Sequence, residues 1–381
     1  MKVFDIESKP GEKVFEYLEM FEYPHGNKEK LPICIIQGLD EGPTFLFTGN
    51  IHGDELHGLV ALQEVIKEID ANKLKGTVII VPSLNPAGLL TLTRSPFYIG
   101  RTDPNRLWPD PKPKKEPELK YEDPYDDLFD DEKYPNVQEI FYTRFAEIFE
   151  RVDYYIDLHC HAIRSFPFSY LDRVYYDEEK ADAKKEAEEV FKKTSSLVEA
   201  FGLTIILENA PKIYFKANLH RSTTGSFVNK YRKPGFTVEL GASGIIDDEI
   251  INAAKKGVFN VLKWTKMLEG EIEPITNFTV FKDILWREVD LRSSTSGFFI
   301  PLVKIGEIVE KDTPLIEIRD IFGKEKETIV APEYGNLLAV WDDIRCYPNS
   351  QIGTFLIKNV IDVVLPWEYE KKEEKKEETK D

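Results

Sequence analysis

Two residues in the segment GNIHGDELHG have the types and the spacing of metal ligands. His52 and Glu55 lie three residues apart, where an apolar strand pattern gives way to a helical pattern. A tight turn into a helix can direct both side chains to one point. Zinc accepts imidazole nitrogen together with carboxylate oxygen, and two histidines with one glutamate leave a position open for water, as in catalytic sites. An HxxE spacing is common by chance, so it requires a third ligand.

His159 is the candidate third ligand, at the end of the apolar segment YYIDLHCHA. A buried strand that ends there presents the histidine at the carboxyl edge of a sheet, where open α/β folds bind their ligands. We expect Asp157 to point to the opposite face of an extended strand, although it could support the metal ligands if the strand ends there, as could Asp54. His161 is the competing ligand. Hydrogen-bonded core positions are the preferred interpretation for His57, His161 and His220.

Alternating strand and helix patterns surround these motifs. Short apolar β-rich runs predict strands at Thr44–Thr48, Thr77–Val81, Val152–Leu158, Leu203–Leu207 and Phe236–Leu240. Apolar residues at helical spacing predict helices that start near Glu55 and cover Glu178–Phe201 and Asp247–Leu268. Short, fully apolar strands separated by helices favour an α/β fold with a largely parallel sheet covered on both faces.

Changes in composition divide the chain into three parts. Residues 1–275 are predicted to form the catalytic domain, and within it Asp110–Val137, rich in Pro, Lys, Asp and Glu, is interpreted as a surface insertion, with an active-site lid as the alternative. Residues 276–370 have short β-like runs separated by turn residues and are predicted to form a small β-rich module. Residues 371–381 contain no apolar side chain and are predicted to be disordered.

The bulk composition excludes several classes of function. A formal charge of -18 argues against nucleic-acid binding, which requires clustered Lys and Arg. Neither a signal peptide nor an apolar run of about 20 residues is visible, so we expect a cytoplasmic protein without membrane contact. Three cysteines, Cys34, Cys160 and Cys346, are too few and too scattered for a disulfide framework. The composition is compatible with a homo-oligomer.

An ordered set of motifs resembles a known family. HGDE, NPAG, the NR of RTDPNRLWP, DLH and VELG follow one another as in zinc carboxypeptidase-like proteins, and more closely as in the succinylglutamate desuccinylase/aspartoacylase family. The similarity extends from about Lys30 to Gly270. It implies a mixed, mostly parallel sheet with helices on both faces. Each motif alone is weak, whereas the ordered set is specific.

The resemblance also implies roles for individual residues. His52, Glu55 and His159 match the ligands of one zinc ion. Glu239, in VELG, matches the glutamate that acts as general base and then as general acid. The remaining matches are Asn105 and Arg106, which hold the substrate carboxylate, and Arg94, which stabilises the oxyanion unless Arg101 in the same loop takes that role.

This chain differs from the family pattern at two places. Pro104 occupies a position where the family commonly has leucine, and Cys160 with His161 follow DLH where a small residue is frequent.

The downstream region, residues 276–370, resembles a biotinyl/lipoyl-type hairpin domain, but the motif that carries the modified lysine is missing. We therefore interpret this module as structural, or as a cap that shapes access to the site.

The sequence thus predicts a zinc-dependent amidohydrolase. Zinc-activated water, with Glu239 as general base, would remove an acyl group from a small N-acylated amino acid or related amine. The first alternative is a metallocarboxypeptidase that cleaves C-terminal residues from peptides. The second is a catalytically inactive binding or regulatory protein on the same fold, although retention of all three ligands and of Glu239 argues against it.

Overall fold

The computed structural model describes residues 1–112, 135–241, 244–282, 285–341 and 343–369. Most of the predicted insertion Asp110–Val137 and the whole of the predicted tail 371–381 therefore lie outside the described residues. Within the described part of the chain, no helix is both long and apolar enough to cross a membrane. Cys34, Cys160 and Cys346 are buried free thiols, as their scattered positions predict.

The strands are numbered in chain order over the described residues. They are β1 (Lys2–Val3), β2 (Ile6–Glu7), β3 (Lys13–Glu22), β4 (Lys28–Gln37), β5 (Asp40–Gly49), β6 (Lys75–Val81), β7 (Tyr154–His159), β8 (Arg164–Ser165), β9 (Phe168–Leu171), β10 (Val174–Tyr176), β11 (Thr204–Leu207), β12 (Gly235–Glu239), β13 (Trp286–Arg292), β14 (Gly297–Pro301), β15 (Ile308–Val309), β16 (Pro314–Arg319), β17 (Glu325–Val330), β18 (Gly335–Val340), β19 (Arg345–Cys346), β20 (Gln351–Lys358) and β21 (Val364–Pro366).

The α-helices follow the same convention. They are α1 (His57–Glu68), α2 (Pro86–Thr91), α3 (Val137–Phe145), α4 (Ala183–Phe201), α5 (Pro211–Lys216), α6 (Thr223–Lys230) and α7 (Asp248–Trp264). Short 3-10 helices occur at Ala71–Lys73, Phe97–Ile99, Pro104–Arg106, Ala146–Arg151 and Leu219–Arg221.

One large mixed sheet organises the protein. Its strand order is β15-β18-β20-β13-β11-β9-β12-β7-β5-β6-β4-β3, with β8 paired to β18 outside this path. The strands β6, β5, β7 and β12 at its centre are parallel, so their carboxyl ends meet at one edge. The predicted α/β class, with a mixed sheet whose central strands are parallel, is confirmed.

Helices cover both faces of this sheet because its central strands are apolar on both sides. Phe45 and Phe47 of β5 pack into a core with α1, α4 and α7. Leu46, between them in the sequence, belongs to a second core with α3. Neighbouring side chains on a strand point to opposite faces, so a fully apolar strand fills both cores at once.

The predicted helix Glu178–Phe201 begins later than its periodicity suggested. Residues before Ala183 form turns, in which the Asp177 side chain accepts a hydrogen bond from the backbone N–H of Glu179 at 3.1 Å. Asp182 then adopts a left-handed conformation with φ of 61°, which is incompatible with helix continuation. Local side-chain bonding of this kind competes with helix formation.

The C-terminal β-rich region continues the large sheet. β13 pairs in parallel with β11, through Ile206 with Trp286 and Leu207 with Arg287. β20, β18 and β15 extend the sheet further, all antiparallel. A separate antiparallel sheet of β17, β16, β14 and β19 packs with them around an apolar core of their own.

Close contact between α1 and β7 depends on Gly58. A Cβ atom at this position would lie 2.5 Å from the carbonyl oxygen of Leu158, well inside van der Waals distance. The glycine therefore lets the start of α1 lie directly against the strand that ends in His159. No larger residue fits without moving one of the two elements.

We expect Gly58→Ala to destabilise the protein. Overpacking costs typically about 1–3 kcal/mol, which exceeds the roughly 1 kcal/mol that alanine gains over glycine in a helix. Urea unfolding should therefore show a lower free energy of unfolding. Gln63→Ala, at an exposed position of the same helix, is the control and should change it by less than about 0.5 kcal/mol. A Gly58→Ala protein as stable as the wild type would show that α1 moves freely away from β7.

Candidate active site

Three buried side chains converge at the carboxyl edge of the sheet. Ligand atoms of His52, Glu55 and His159 all lie within 4.8 Å of one another. Nδ1 of His52 is 2.7 Å from Oε1 of Glu55, and Nδ1 of His159 is 3.2 Å from Oε2. Burial raises the pKa of Glu55, but the charges of the two histidines and their hydrogen bonds outweigh it and hold the pKa well below its ordinary value. The three predicted ligands therefore meet.

The outer nitrogen of each histidine is held by a further carboxylate. Nε2 of His52 lies 3.0 Å from Oδ1 of Asp103, and Nε2 of His159 lies 2.8 Å from Oδ2 of Asp157. A carboxylate can only accept, so each Nε2 donates its hydrogen to the carboxylate behind it, and the Nδ1 atoms, which face Glu55, are the ones that a metal ion would use. Metal-ligating histidines characteristically have this carboxylate support.

The expectation that Asp157 points away from His159 is wrong. Residues two positions apart on a strand share a face, and β7 remains extended through both residues. Thr48 on β5 donates to Oδ1 of Asp157 at 2.6 Å, and Thr223 at the start of α6 donates to Oδ2 at 2.7 Å. Asp157 is thus a fully bonded buried carboxylate that positions His159. Asp54, the other supporting candidate, lines the cavity instead.

Asn50 shapes the turn that carries His52 and Glu55, and sequence reasoning missed it. Its backbone is left-handed, with φ of 54°, a region that asparagine tolerates better than most residues. Its side-chain amide donates to the carbonyl oxygens of His52, Gly53 and Glu55 at 2.9–3.2 Å. An asparagine two residues before His52 is the signal that could have identified it.

The NPAG motif supports the same turn from the next loop. Asn85 caps α2 by accepting a hydrogen bond from the N–H of Gly88 at 2.7 Å. Its Nδ2 donates to the carbonyl oxygens of Ile51 and Arg94 at 3.0 and 3.1 Å. A Cβ at Gly53 would lie 2.0 Å from the Gly88 carbonyl carbon, so the two loops are in direct contact. The motif therefore fixes where the Arg94 loop lies relative to the ligands.

The structure distinguishes between the two candidate oxyanion arginines. Arg94 lies in the cavity, with Nη1 3.4 Å from Oε1 of Glu55 and Nη2 2.8 Å from Oδ2 of Asp103. Its side chain is 50% exposed, so part of the guanidinium faces the open cavity. Arg101 is exposed and is not among the cavity-lining residues. Of these two arginines, Arg94 is the one that lines the cavity beside Glu55.

Asn105 and Arg106 lie side by side on a single 3-10 turn that begins at Pro104. Oδ1 of Asn105 accepts the backbone N–H of Thr223 at 2.8 Å, which leaves its Nδ2 as the group that can donate to a ligand. Nη1 of Arg106 donates to the Asn105 carbonyl oxygen at 2.7 Å, and Nη2 lies 3.9 Å from Asp103. Both side chains line the cavity. Pro104 thus starts the turn that presents them.

Glu239 ends β12 beside the metal-ligand candidates. It is the register partner of His159 on the neighbouring parallel strand. Its Oε2 atom is buried and has no hydrogen-bond partner in the described structure. Burial raises the pKa of Glu239 to about 8. A carboxyl group with a raised pKa at the edge of a cavity has the character of a general acid or base.

The other histidines differ from one another. His57 is buried and hydrogen-bonded, with Nε2 accepting the backbone N–H of Asp247 at 3.0 Å, as predicted for a core residue. The core interpretation of His161 is wrong, because its ring lines the cavity, packs against Trp341 and leaves Nδ1 without a partner. His220 is buried, but its Nδ1 also has no partner within the described residues.

A cavity of about 610 Å³ unites these residues. The ligand candidates, Glu239, Arg94, Asn105 and Arg106 lie on its wall. Several C-terminal residues also line it, namely Glu288, Asp290, Arg292, Trp341, Gln351 and Thr354. Residues 288, 290 and 292 are two positions apart along β13, so their side chains point to the same face of the strand. The C-terminal module thus contributes part of the cavity surface.

The donor set fits a zinc ion. Two imidazole Nδ1 atoms and one carboxylate converge, and each imidazole is held from behind by a carboxylate. Three protein ligands beside an open cavity are typical of catalytic rather than structural zinc. Other groups of three or more such residues with converging ligand atoms are absent from the described residues.

Comparison with known proteins agrees with this architecture. An Nα-acetyl-L-2,4-diaminobutyric acid deacetylase from Halomonas elongata is 25% identical over 300 residues, which cover 76% of this chain and 74% of that protein. A succinylglutamate desuccinylase/aspartoacylase structure from Rhodobacter sphaeroides superposes with a TM-score of 0.71 at 19% identity, covering 94% of this chain and 99% of that one. The product-bound ectoine utilization protein EutE (DoeB) from Ruegeria pomeroyi gives 0.68 at 20% identity, covering 92% and 97%.

The family model for the succinylglutamate desuccinylase/aspartoacylase catalytic domain matches residues 41–265, which is more than half of the chain. The match includes all the predicted ligands, Arg94, the Asn105–Arg106 pair and Glu239. This chain therefore belongs to the succinylglutamate desuccinylase/aspartoacylase family.

Proposed function

We propose that this protein is a zinc-dependent deacylase that hydrolyses the amide bond of a small N-acylated amino acid or related amine. One observation carries the proposal: two inward-facing histidine Nδ1 atoms and the Glu55 carboxylate converge next to the unpartnered carboxyl of Glu239. The family membership supports the same reaction class. The substrate is a small molecule, and one zinc ion is bound per chain.

His52, Glu55 and His159 would hold the zinc ion. Bound there, zinc supplies a Lewis acid that polarises the scissile carbonyl and acidifies water to a pKa near 7. Glu239 accepts the proton of the attacking water at its carboxylate and returns it to the nitrogen of the leaving amine.

The remaining cavity residues position the substrate and stabilise charge. Arg94 faces the reacting carbonyl with its exposed side and stabilises negative charge that develops on the oxygen, an effect worth typically about 3 kcal/mol for one donor. Arg106 binds a substrate carboxylate through its guanidinium, and Nδ2 of Asn105 donates a second hydrogen bond. Asp103 and Asp157 keep the histidines oriented throughout.

Metallocarboxypeptidase activity is the alternative that uses the same residues. The C-terminal module argues for the smaller substrate, because Trp341, Gln351 and Thr354 take up part of the cavity wall. A cavity of about 610 Å³ is large enough for an acylated amino acid. The name of the Halomonas elongata relative also describes a deacetylase. A catalytically inactive protein would be expected to lack at least one of the four central residues.

A hydrolysis screen tests the reaction class. Zinc-loaded protein should release free amine from acetyl-, succinyl- or other acyl-amino acids and should leave peptide C-termini intact. Ninhydrin detection or mass spectrometry measures the products, and protein treated with a chelator is the control. Release of C-terminal amino acids from peptides alone would establish the carboxypeptidase alternative instead.

Glu239→Gln should retain zinc and lose activity. The amide has nearly the same shape but cannot accept a proton, so kcat should fall by about 10²–10⁴, the usual contribution of a general base. Zinc content measured by mass spectrometry should stay near one ion per chain. Turnover equal to the wild type would remove Glu239 from the mechanism.

His159→Ala should abolish stable zinc binding, because only two of three protein ligands remain. The matched variant His161→Ala removes a neighbouring cavity imidazole and should retain the metal. Dialysis against a zinc buffer, followed by metal analysis, compares the two. The reverse result, with zinc kept by His159→Ala and lost by His161→Ala, would identify His161 as the ligand.

A further inference from the structure

His161 is a cavity residue to which the proposed function gives no role. It follows the ligand candidate His159 by two positions, in a segment where the family often has a small residue. Its ring lines the cavity that also contains His52, Glu55 and Glu239. A substrate bound beside the ligand candidates is therefore within reach of this imidazole.

Aromatic rings on two sides hold His161 in place. Its ring centroid lies 5.4 Å from that of Phe168 in an edge contact, and 5.7 Å from that of Trp341 in a stacked contact with an interplanar angle of 28°. Phe168 belongs to β9, and Trp341 directly follows β18 of the C-terminal module. Arg164 also donates from Nη2 to the carbonyl oxygen of Trp341 at 2.5 Å. The segment after β7 is thus fixed against the module.

The two ring nitrogens of His161 differ in their access to the cavity. Nδ1 is buried and has no hydrogen-bond partner within the described part of the chain. Nε2 makes no hydrogen bond to a described residue either, but it is not enclosed. Because the ring lines the cavity, Nε2 is the atom that it offers to a ligand.

This nitrogen is suited to donate a hydrogen bond to an oxygen atom. The hydrogen bond made by one imidazole nitrogen decides which of the two carries the hydrogen. No acceptor at Nδ1 competes for it among the described residues, so an oxygen placed at Nε2 receives the N–H. His161 therefore presents one donor beside the apolar faces of two rings.

The acyl group is the part of the substrate that reaches this donor. In the proposed function Asn105 and Arg106 bind the carboxylate of the amine portion, and the scissile carbonyl lies at the zinc site. Asn105 is joined to the start of α6 through Thr223, whereas His161 packs against β9 and the module. The two substituents of an amide extend in opposite directions from the scissile bond. The acyl group then lies against the wall that His161 and Trp341 form.

A hydroxyl oxygen on the acyl group fits this wall better than a carboxylate. Glu208, Glu239 and Glu288 line the same cavity, so a carboxylate on the acyl group would meet like charge. A plain alkyl group would cover Nε2 of His161 and leave it without a partner, which is costly for a donor removed from water. A neutral oxygen acceptor avoids both penalties.

We propose that His161 and Trp341 form the subsite for the acyl group, and that Nε2 of His161 selects acyl groups that carry a hydroxyl oxygen near the scissile carbonyl. This inference rests on the proposed function for its placement of the substrate carboxylate and amide. The two rings cover the carbon atoms of the acyl group, and the N–H binds its oxygen. Sites that bind a substrate hydroxyl discriminate against the analogue that lacks it because the polar group of the site is then left unpaired.

Matched acyl groups test the subsite. N-glycolyl and N-propionyl derivatives of one amino acid differ only in a hydroxyl against a methyl group, as do the N-3-hydroxypropionyl and N-butyryl derivatives. With zinc-loaded wild type, kcat/KM should be about 3–10-fold higher for the hydroxyl compound of at least one pair, the factor that one net hydrogen bond provides. His161→Phe keeps an aromatic ring but removes both nitrogens, and it should lose this preference.

Matched variants separate the hydrogen bond from a structural role. His161→Gln carries an amide N–H the same number of bonds from Cβ as Nε2 of histidine, and it should keep the preference. Trp341→Ala removes the stacked ring and should weaken the preference without loss of zinc. His25→Phe makes the same replacement at an exposed position outside the cavity wall and should match the wild type. Zinc content and the circular dichroism spectrum check the fold of each variant.

Two results would overturn the subsite. One is a wild type that shows no preference for the hydroxyl compound in either pair. The other is a His161→Phe protein that keeps its zinc and its fold and retains the full wild-type preference.

Binding of the released acids separates this inference from the proposed function. Calorimetry with zinc-loaded protein compares 3-hydroxypropionate with butyrate. Tighter binding of the hydroxy acid that is lost in His161→Phe, in a protein that hydrolyses no acyl-amino acid, would support the subsite and reject the deacylase function. Hydrolysis of acyl-amino acids without an acyl preference that depends on His161 would support the deacylase function and reject the subsite.

Discussion

The site depends on a chain of hydrogen bonds that begins behind the metal-ligand candidates. His52 and His159 can direct Nδ1 inward only because Asp103 and Asp157 hold the opposite ring nitrogens. Asp157 has no exposure to solvent and must itself be satisfied, which Thr48 and Thr223 accomplish. Burying a carboxylate without such partners is costly. Four elements, β5, β7, α6 and the loop before Asn105, must therefore take their observed places for the histidines to point correctly.

Local sequence patterns were sufficient to predict those parts of the site whose residues are positioned by their own strand, turn or helix. The spacing of His52 and Glu55 and the apolar strand before His159 predicted three side chains that the structure brings together. The central strands and the three longest helices of the catalytic region, α1, α4 and α7, were likewise predicted, because their apolar patterns are strong, whereas the shorter helices α2, α3, α5 and α6 were not predicted. The boundaries were less accurate where polar side chains, such as Asp177, bond locally and delay a helix.

Contacts between distant segments could not be predicted in the same way. Asp103 reaches His52 from another loop, and Tyr170 reaches Glu288 across two strands of the sheet, with no pattern in the sequence that pairs them. The error at Asp157 had a different origin, since the strand period of two already places it on the face of His159. The contribution of β13 to the cavity wall also escaped sequence reasoning, because this wall arises where two separate regions of the chain meet.

The parallel pairing of β13 with β11 affects how the protein folds as well as how it binds. Without β13, one side of β11 would present unpaired backbone N–H and C=O groups, and such an open edge is a template for pairing with other chains. During synthesis this edge stays uncovered until residues 286–292 have left the ribosome. The strand that carries Glu288 into the cavity thus also protects the sheet against aggregation, so a chain truncated before it is expected to associate with other chains as well as to lose the part of the cavity wall that β13 forms.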